Sequence, residues 1–208
     1  DKDQFLDYLK TNEENLMVYN YDNIITIFLP DTYQVYWNIS VENLIKRMKK
    51  EYSIFWNNER KEKLNKIGLN LKEFSTLASI VSSETNNLKE AKKIAGVYIN
   101  RLKNNWKLQS CPTLIYASND FNIKRVLTKH INIESPYNTY KYKGLPPGPI
   151  CIVDPRVIDA VLNYSKHDFI FMCAKPSYSG YHNFSSTNKE HEKYKKMYTT
   201  WLSQEKIN

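Results

Sequence analysis

The stretch Leu71–Thr85, LKEFSTLASIVSSET, decides how the chain is read. Its apolar residues Phe74, Leu77, Ala78 and Val81 recur at helical spacing, and Leu71 and Ile80 flank the same stripe. Continuing that stripe from Leu77, Ile80 and Val81 lands on Glu84, so an acid sits on the core side of the helix. Desolvation and the negative end of the helix dipole both disfavour its charged form, the condition a general acid needs. The plainer alternative is a helix-end acid that turns to solvent or pairs with Lys92 or Lys93. Asn86-Asn87 is a stop signal, and Lys89–Lys103 makes the next helix, with Ala91, Ile94, Ala95, Tyr98 and Leu102 on one face. The two helices form a corner with Glu84 at its vertex. Ala95 and Gly96 are small enough to let the backbones approach closely.

Upstream, Phe5–Leu16 reads as a short helix, Asn23–Phe28 (NIITIF) as a strand and Tyr33–Trp37 (YQVYW) as a second strand. Ser40 opens a helix that runs through Trp56, and the charged stretch Asn57–Lys66 leads to Gly68. Residues 1–70 thus read as a packing lobe, and 71–208 as a core continuous with it. Downstream, Gln109–Ala117 is a loop entering one helical turn after Pro112, and Asn122–Lys129 is a further short helix. Ser135–Ile150 (SPYNTYKYKGLPPGPI) is a long, stiff, Pro-rich loop of the kind that carries function. Asp154 caps a helix over Pro155–Tyr164. Strands at Asp168–Ala174 and Tyr181–Phe184 precede a closing helix, Thr187–Leu202. Helices and antiparallel strands are segregated, which predicts an α+β fold with a helical lobe packed on short strands.

Bulk properties narrow the function classes. A chain of 208 residues with 41% hydrophobic content, 5 Gly and 8 Pro is long enough for a real core and is not a low-complexity segment. No apolar run has the length of a membrane span. The formal charge of +8 suits an anionic partner such as nucleic acid, a membrane surface or a cell-wall polymer. The lysines, however, are scattered as pairs such as Lys49-Lys50, Lys92-Lys93 and Lys195-Lys196, which argues against a nucleic-acid face. Sixteen Tyr and four Trp suit sugar rings as well as bases. Cys111, Cys151 and Cys173 form neither a disulfide framework nor, with four scattered His, a zinc signature, so no metal and no cofactor is expected.

Taken in order, FLPDTYQVY (Phe28–Tyr36), LASIVSSET (Leu77–Thr85), AGVYINRL (Ala95–Leu102), LQSCPTLIYA (Leu108–Ala117), SPYNTYKYKGLPPGPI and the His182/Phe184/His191 tail resemble the YceG-like family, the MltG endolytic murein transglycosylases of bacteria. The resemblance implies a lytic transglycosylase that cuts nascent glycan strands internally, at the MurNAc-β-1,4-GlcNAc bond, leaving 1,6-anhydro-MurNAc ends. It implies a catalytic domain on the periplasmic or cell-wall side of the cytoplasmic membrane. The single-pass anchor and LysM-like module of the family would lie upstream of this soluble piece. Peptidoglycan synthases and the elongation or division machinery are the implied protein partners.

Most glycosidases need two flanking carboxylates, whereas a lytic transglycosylase manages with one because the sugar's own O6 attacks C1. The family's catalytic Glu aligns with Glu84, as acid and then base, followed by Thr85. Tyr137, Asn138 and Thr139 resemble a Tyr-Asn element that lines related clefts; turn formation and packing are the alternative. Gln109, Ser110 and Thr113 are candidate sugar hydrogen-bonders, or helix caps, and His182 either reaches the site or is structural. Two positions depart from the family pattern: Ser82 stands where many relatives carry a second acid, and Cys111 where Asp is common. A hydrolysing muramidase would need a second carboxylate, for which Asp120, Glu134 and Asp154 are the candidates. A non-catalytic peptidoglycan-binding or divisome scaffold domain would use the same aromatic groove without cleavage.

Overall fold

A computed structural model describes residues 2–11, 23–123 and 126–205. Helices dominate: α1 (Lys2–Thr11), α2 (Val41–Phe55), α3 (Asn58–Ile67), α4 (Leu71–Glu84), α5 (Leu88–Lys103), α6 (Cys111–Ser118), α7 (Thr128–Ile131), α8 (Pro155–Leu162) and α9 (Asn188–Gln204). Among the described residues one antiparallel hairpin, β1 (Phe171–Ala174) with β2 (His182–Ser185), pairs Phe171 with Ser185 and Ala174 with His182. The α+β expectation therefore holds, with the sheet reduced to two strands.

The helix starts are written in the sequence. Ser40, Asn57, Asp154 and Thr187 each accept a backbone N–H from the first turn of α2, α3, α8 and α9. Asn70 and Glu73 form a reciprocal capping box at the head of α4. Asn87 accepts from the N–H groups of Lys89 and Glu90 and opens α5. Gly68 ends α3 in the left-handed region, φ 81°, where a side chain would be strained.

Helix α4 is the centre of the core. Every residue from Phe74 to Val81 is buried, including Ser75, Thr76 and Ser79. The helix is thus enclosed all round rather than on one stripe, because its non-stripe positions are hydroxyl residues that satisfy themselves. Thr76 donates to Lys72 O and Ser79 to Thr76 O, while Ser79 also accepts the Ile150 N–H. On one side Trp56 meets Phe74 edge-on at 5.5 Å and Tyr52 meets Ser75, which ties the end of α2 to α4. On the others, α5 and α8 pack against it. Arg60 of α3 clamps Asp159 of α8 with two bonds of 2.8 and 2.9 Å.

Several elements differ from the sequence reading. Asn23–Phe28 is not a strand: Ile24–Ile27 is a 3-10 helix whose Ile24 and Ile27 enter the core. A short β-branched run carries no periodicity that separates strand from buried helix. Tyr33–Trp37 is not a strand: it has no regular secondary structure, enters a turn at Trp37 closed by the Ile39 N–H on Tyr36 O, and joins no sheet among the described residues; Tyr36 and Trp37 are exposed. The charged stretch after Asn57 is helix α3. Helix α6 makes two turns rather than one, and the expected Asn122–Lys129 helix is replaced by α7; Lys124 and Arg125 lie outside the described residues. The far end of the expected Phe5–Leu16 helix also lies outside them, and α1 covers Lys2–Thr11 of what is described. The first strand begins at Phe171, not Asp168, and the second covers His182–Ser185.

Candidate active site

Glu84 is the last residue of α4, half-buried at the corner where α5 departs. Its stripe neighbours Leu77, Ile80 and Val81 are wholly buried, so the helix turns its carboxyl inward. Two hydroxyls donate to the same oxygen: Tyr98 to Oε1 at 2.5 Å and Ser110 to Oε1 at 2.8 Å. Oε2 is left unengaged among the described residues. A proton carried by this carboxyl therefore belongs on Oε2. Tyr98 is fully buried, and burial, followed by the adjacent Glu84 charge, holds its phenol well above the ordinary range. It remains a donor at any pH near neutrality.

Ser110 is itself held by a closed circuit. Its N–H donates to Thr139 Oγ1 at 3.0 Å, Thr113 Oγ1 donates to Ser110 O at 2.8 Å, and the two threonine hydroxyls meet at 2.8 Å. Each group is satisfied when Thr139 donates to Thr113. Asn138 staples the preceding loop: its amide donates to Ile131 O and Ile133 O, and its Oδ1 accepts from the N–H groups of Tyr140 and Lys141. Ser110, Thr113, Asn138 and Thr139 are all at most 2% exposed. The structure thus gathers these expected sugar contacts behind Glu84, with their hydrogen bonds directed at protein rather than at the cleft.

The remaining expected residues divide. Gln109 is exposed beside Ser110; its backbone has φ 49°, unusual for a residue with a side chain, and its N–H is bonded to Thr139 O. Tyr137 is half-buried, its ring 4.7 Å from that of Tyr116. Thr85 is buried, donating to Glu90 Oε2 at 3.3 Å and accepting from the Asn87 N–H. His182 does not contact Glu84: its N–H donates to Glu90 Oε1 at 2.7 Å and its Nδ1 lies 3.2 Å from Glu90 Oε2. At the two departures from the family pattern, Ser82 lines the Glu84 cleft and Cys111 Sγ meets the Tyr140 hydroxyl at 3.2 Å. Burial pushes both that thiol and the Tyr140 phenol up.

Three participants escaped the sequence reading as site residues: Tyr98, Glu90 and Arg101. Arg101 is 6% exposed and makes no contact ion pair among the described residues, feeling Glu84 only at longer range. It donates instead to Leu108 O and Ile170 O, each at 2.6 Å, and so fixes the start of the Ser110 loop. The signal was present: Glu90, Ile94, Val97 and Arg101 form one helical stripe, buried along its length, with opposite charges at its ends.

The cleft at Glu84 is an open concavity of about 430 Å³ lined by Ser82, Ser83, Glu84, Thr85, Asn86 and Asn87 on one side and Ser179 and Gly180 on the other. Its lining is polar, and Glu84 is the one carboxylate in it. A concavity of about 520 Å³, bordered by Asn23, Tyr52, Leu71 and Ser75, lies at the opposite end of α4 and contains no acid. Among the described residues no His, Cys, Asp and Glu side chains cluster to hold a metal, and no helix is long and apolar enough to cross a membrane.

The YceG-like family model matches residues 2–197. The chain belongs to the YceG-like family. Over 160 residues it is 38% identical to the endolytic murein transglycosylase of Bacillus subtilis, covering 76% of this chain and 43% of that protein. The endolytic murein transglycosylase of Streptococcus pneumoniae is 29% identical over 172 residues, covering 79% of this chain and 30% of that protein. A crystal structure of a YceG-like protein from Listeria monocytogenes superimposes with a TM-score of 0.69 at 32% identity, covering 81% of this chain and 53% of that one. The chain thus spans less than half the length of these curated YceG-like relatives.

Proposed function

We propose that this chain is the catalytic part of an endolytic murein transglycosylase. It would cut peptidoglycan strands internally at the MurNAc-β-1,4-GlcNAc bond to leave 1,6-anhydro-MurNAc ends. The observation that carries this reading is the lone carboxylate of the polar cleft, tied through Oε1 with Oε2 free. Glu84 Oε2 gives its proton to the departing glycosidic oxygen, and the sugar's O6 hydroxyl attacks C1. The same oxygen then takes the O6 proton, so the carboxyl ends as it began and no water is consumed. Hydrolysis would require a second carboxylate roughly 5–9.5 Å away, as nucleophile or to activate water. Asp120, Glu134 and Asp154 do not line the cleft. Glu134 is bonded to Lys141 and Tyr142, and Asp154 to Arg156. Glu90 is enclosed by Thr85 and His182.

In this reading Tyr98 and Ser110 orient the acid, while Thr113, Asn138 and Thr139 hold Ser110 in place. Of the expected set, Thr85 lines the Glu84 cleft, while Gln109 is exposed next to Ser110 in the chain. Residues 1–70 buttress α4, and residues 71–208 carry the chemistry. The rest of the protein would supply the membrane anchor, placing the cleft on the cell-wall side near peptidoglycan synthases. The test is digestion of uncrosslinked glycan strands in heavy-oxygen water. The reading requires label-free anhydro ends; labelled reducing ends would show hydrolysis, and intact strands would favour a binding or scaffold module.

A further inference from the structure

The turn of the β1–β2 hairpin is fixed at both ends, and its tip faces Glu84. On the outer side, Tyr178 packs edge-on against Trp201 of α9 at 5.1 Å and donates to Glu205 Oε2 at 2.7 Å. On the inner side, Asn87 Nδ2 donates to the Tyr181 hydroxyl at 2.8 Å, and Glu90 accepts the His182 N–H at 2.7 Å. These contacts join the helical corner to residues more than ninety positions away. Lys175 N–H to Tyr181 O, at 2.8 Å, closes the turn between them. The result is that Ser179 and Gly180 stand across the cleft from Ser82–Asn87. Gly180 has φ 69° and nothing within 4 Å of where a Cβ would be, so its backbone is open to the cleft.

We propose that this turn is the second wall of the glycan cleft, with Ser179 and Gly180 contacting the hexosamine next to the bond that Glu84 protonates. Asn87 and Tyr181 are the positioning pair that holds the wall at the correct distance, and Glu90 anchors its base through the His182 backbone. The proposal rests on the glycan reading of the cleft. Its chemistry fits: a rim of hydroxyls, amides and open backbone suits the hydroxyl and acetamido groups of an amino sugar, which offer both donors and acceptors.

The test uses a GlcNAc–MurNAc tetrasaccharide titrated into the Glu84→Gln protein, read by amide NMR shifts. The amides of Ser179 and Gly180 are expected to move together with those of Ser82–Asn87. Adding Tyr181→Phe, an exposed change that removes only the hydroxyl accepting from Asn87, is expected to weaken the Kd roughly fivefold with the melting temperature unchanged. In the otherwise unaltered chain the same change is expected to raise KM by a similar factor while kcat stays within about twofold. Shifts at Ser82–Asn87 without Ser179 and Gly180, or full affinity in Tyr181→Phe, would overturn the wall and leave the glycan site standing. No shift anywhere would overturn both.

Discussion

Tyr98 and Glu84, on successive helices, are joined by a 2.5 Å hydrogen bond in which a wholly buried phenol donates to the carboxyl oxygen Oε1. With Ser110 on the same oxygen, the carboxyl has one oxygen doubly bonded to hydroxyls and, among the described residues, one left open. Removing the phenol in Tyr98→Phe leaves Ser110 as the remaining donor. The variant is expected to fold, to lose about 1 kcal/mol of stability and to cleave more slowly than the parent, but far less slowly than one lacking the acid. A variant as inactive as Glu84→Gln would mean that Tyr98 takes part in the chemistry itself.

The same phenol predicts an alkaline response. Its pKa is raised in the folded state by burial and by Glu84, and that of Tyr52 is raised by burial as well. Below about pH 10, the ordinary tyrosine value, both states hold the proton and the stabilisation is complete. Above it the unfolded chain loses protons first, so stability falls as pH rises. Urea unfolding from pH 8 to 11 should show this decline, and Tyr98→Phe should make it shallower.

Arg101 should be far less tolerant of change than its lack of a salt bridge suggests. Its guanidinium is buried with two backbone carbonyls as partners, and burial lowers its pKa. Arg101→Met keeps much of the volume but strands Leu108 O and Ile170 O. A loss of about 2–4 kcal/mol in denaturant unfolding is expected, since bonds from a charged donor are worth more than neutral ones. Activity should fall as well, because the loop carrying Ser110 loses its fixed start.

Gly96 illustrates a close approach rather than a turn. A Cβ there would lie 2.4 Å from Ser165 O and 2.6 Å from His167 Nε2. Helix propensity alone favours Gly96→Ala by about 1 kcal/mol. The backbone oxygen cannot yield cheaply, so overpacking costing about 1–3 kcal/mol is expected to win. A raised melting temperature for Gly96→Ala would contradict this packing.

The chain shows what a sequence can and cannot declare. The α4–α5 corner is legible because the apolar stripe and the Asn stop specify it locally. Gly96, expected to let α4 and α5 approach, instead admits the Ser165–His167 segment. The upstream segments are not strands because NIITIF is equally compatible with a buried turn of helix, and YQVYW has no strand to pair with among the described residues. Ser110, Thr113, Asn138 and Thr139 were legible as a group but not as a buried circuit, since polar residues in a loop look alike whether they face a ligand or one another. Glu90 and His182 meet from 92 positions apart, a contact no local pattern encodes.

The most direct test of the account is cleavage of uncrosslinked glycan strands by the parent chain and by Glu84→Gln, with end groups read by mass spectrometry. Glu84→Gln keeps the size of the side chain and an oxygen for Tyr98 and Ser110 but cannot donate and recover a proton. The account predicts anhydro-muramyl ends from the parent and a loss of roughly a thousandfold or more in the variant, with binding retained. Equal cleavage by both proteins would contradict it and move the chemistry away from Glu84.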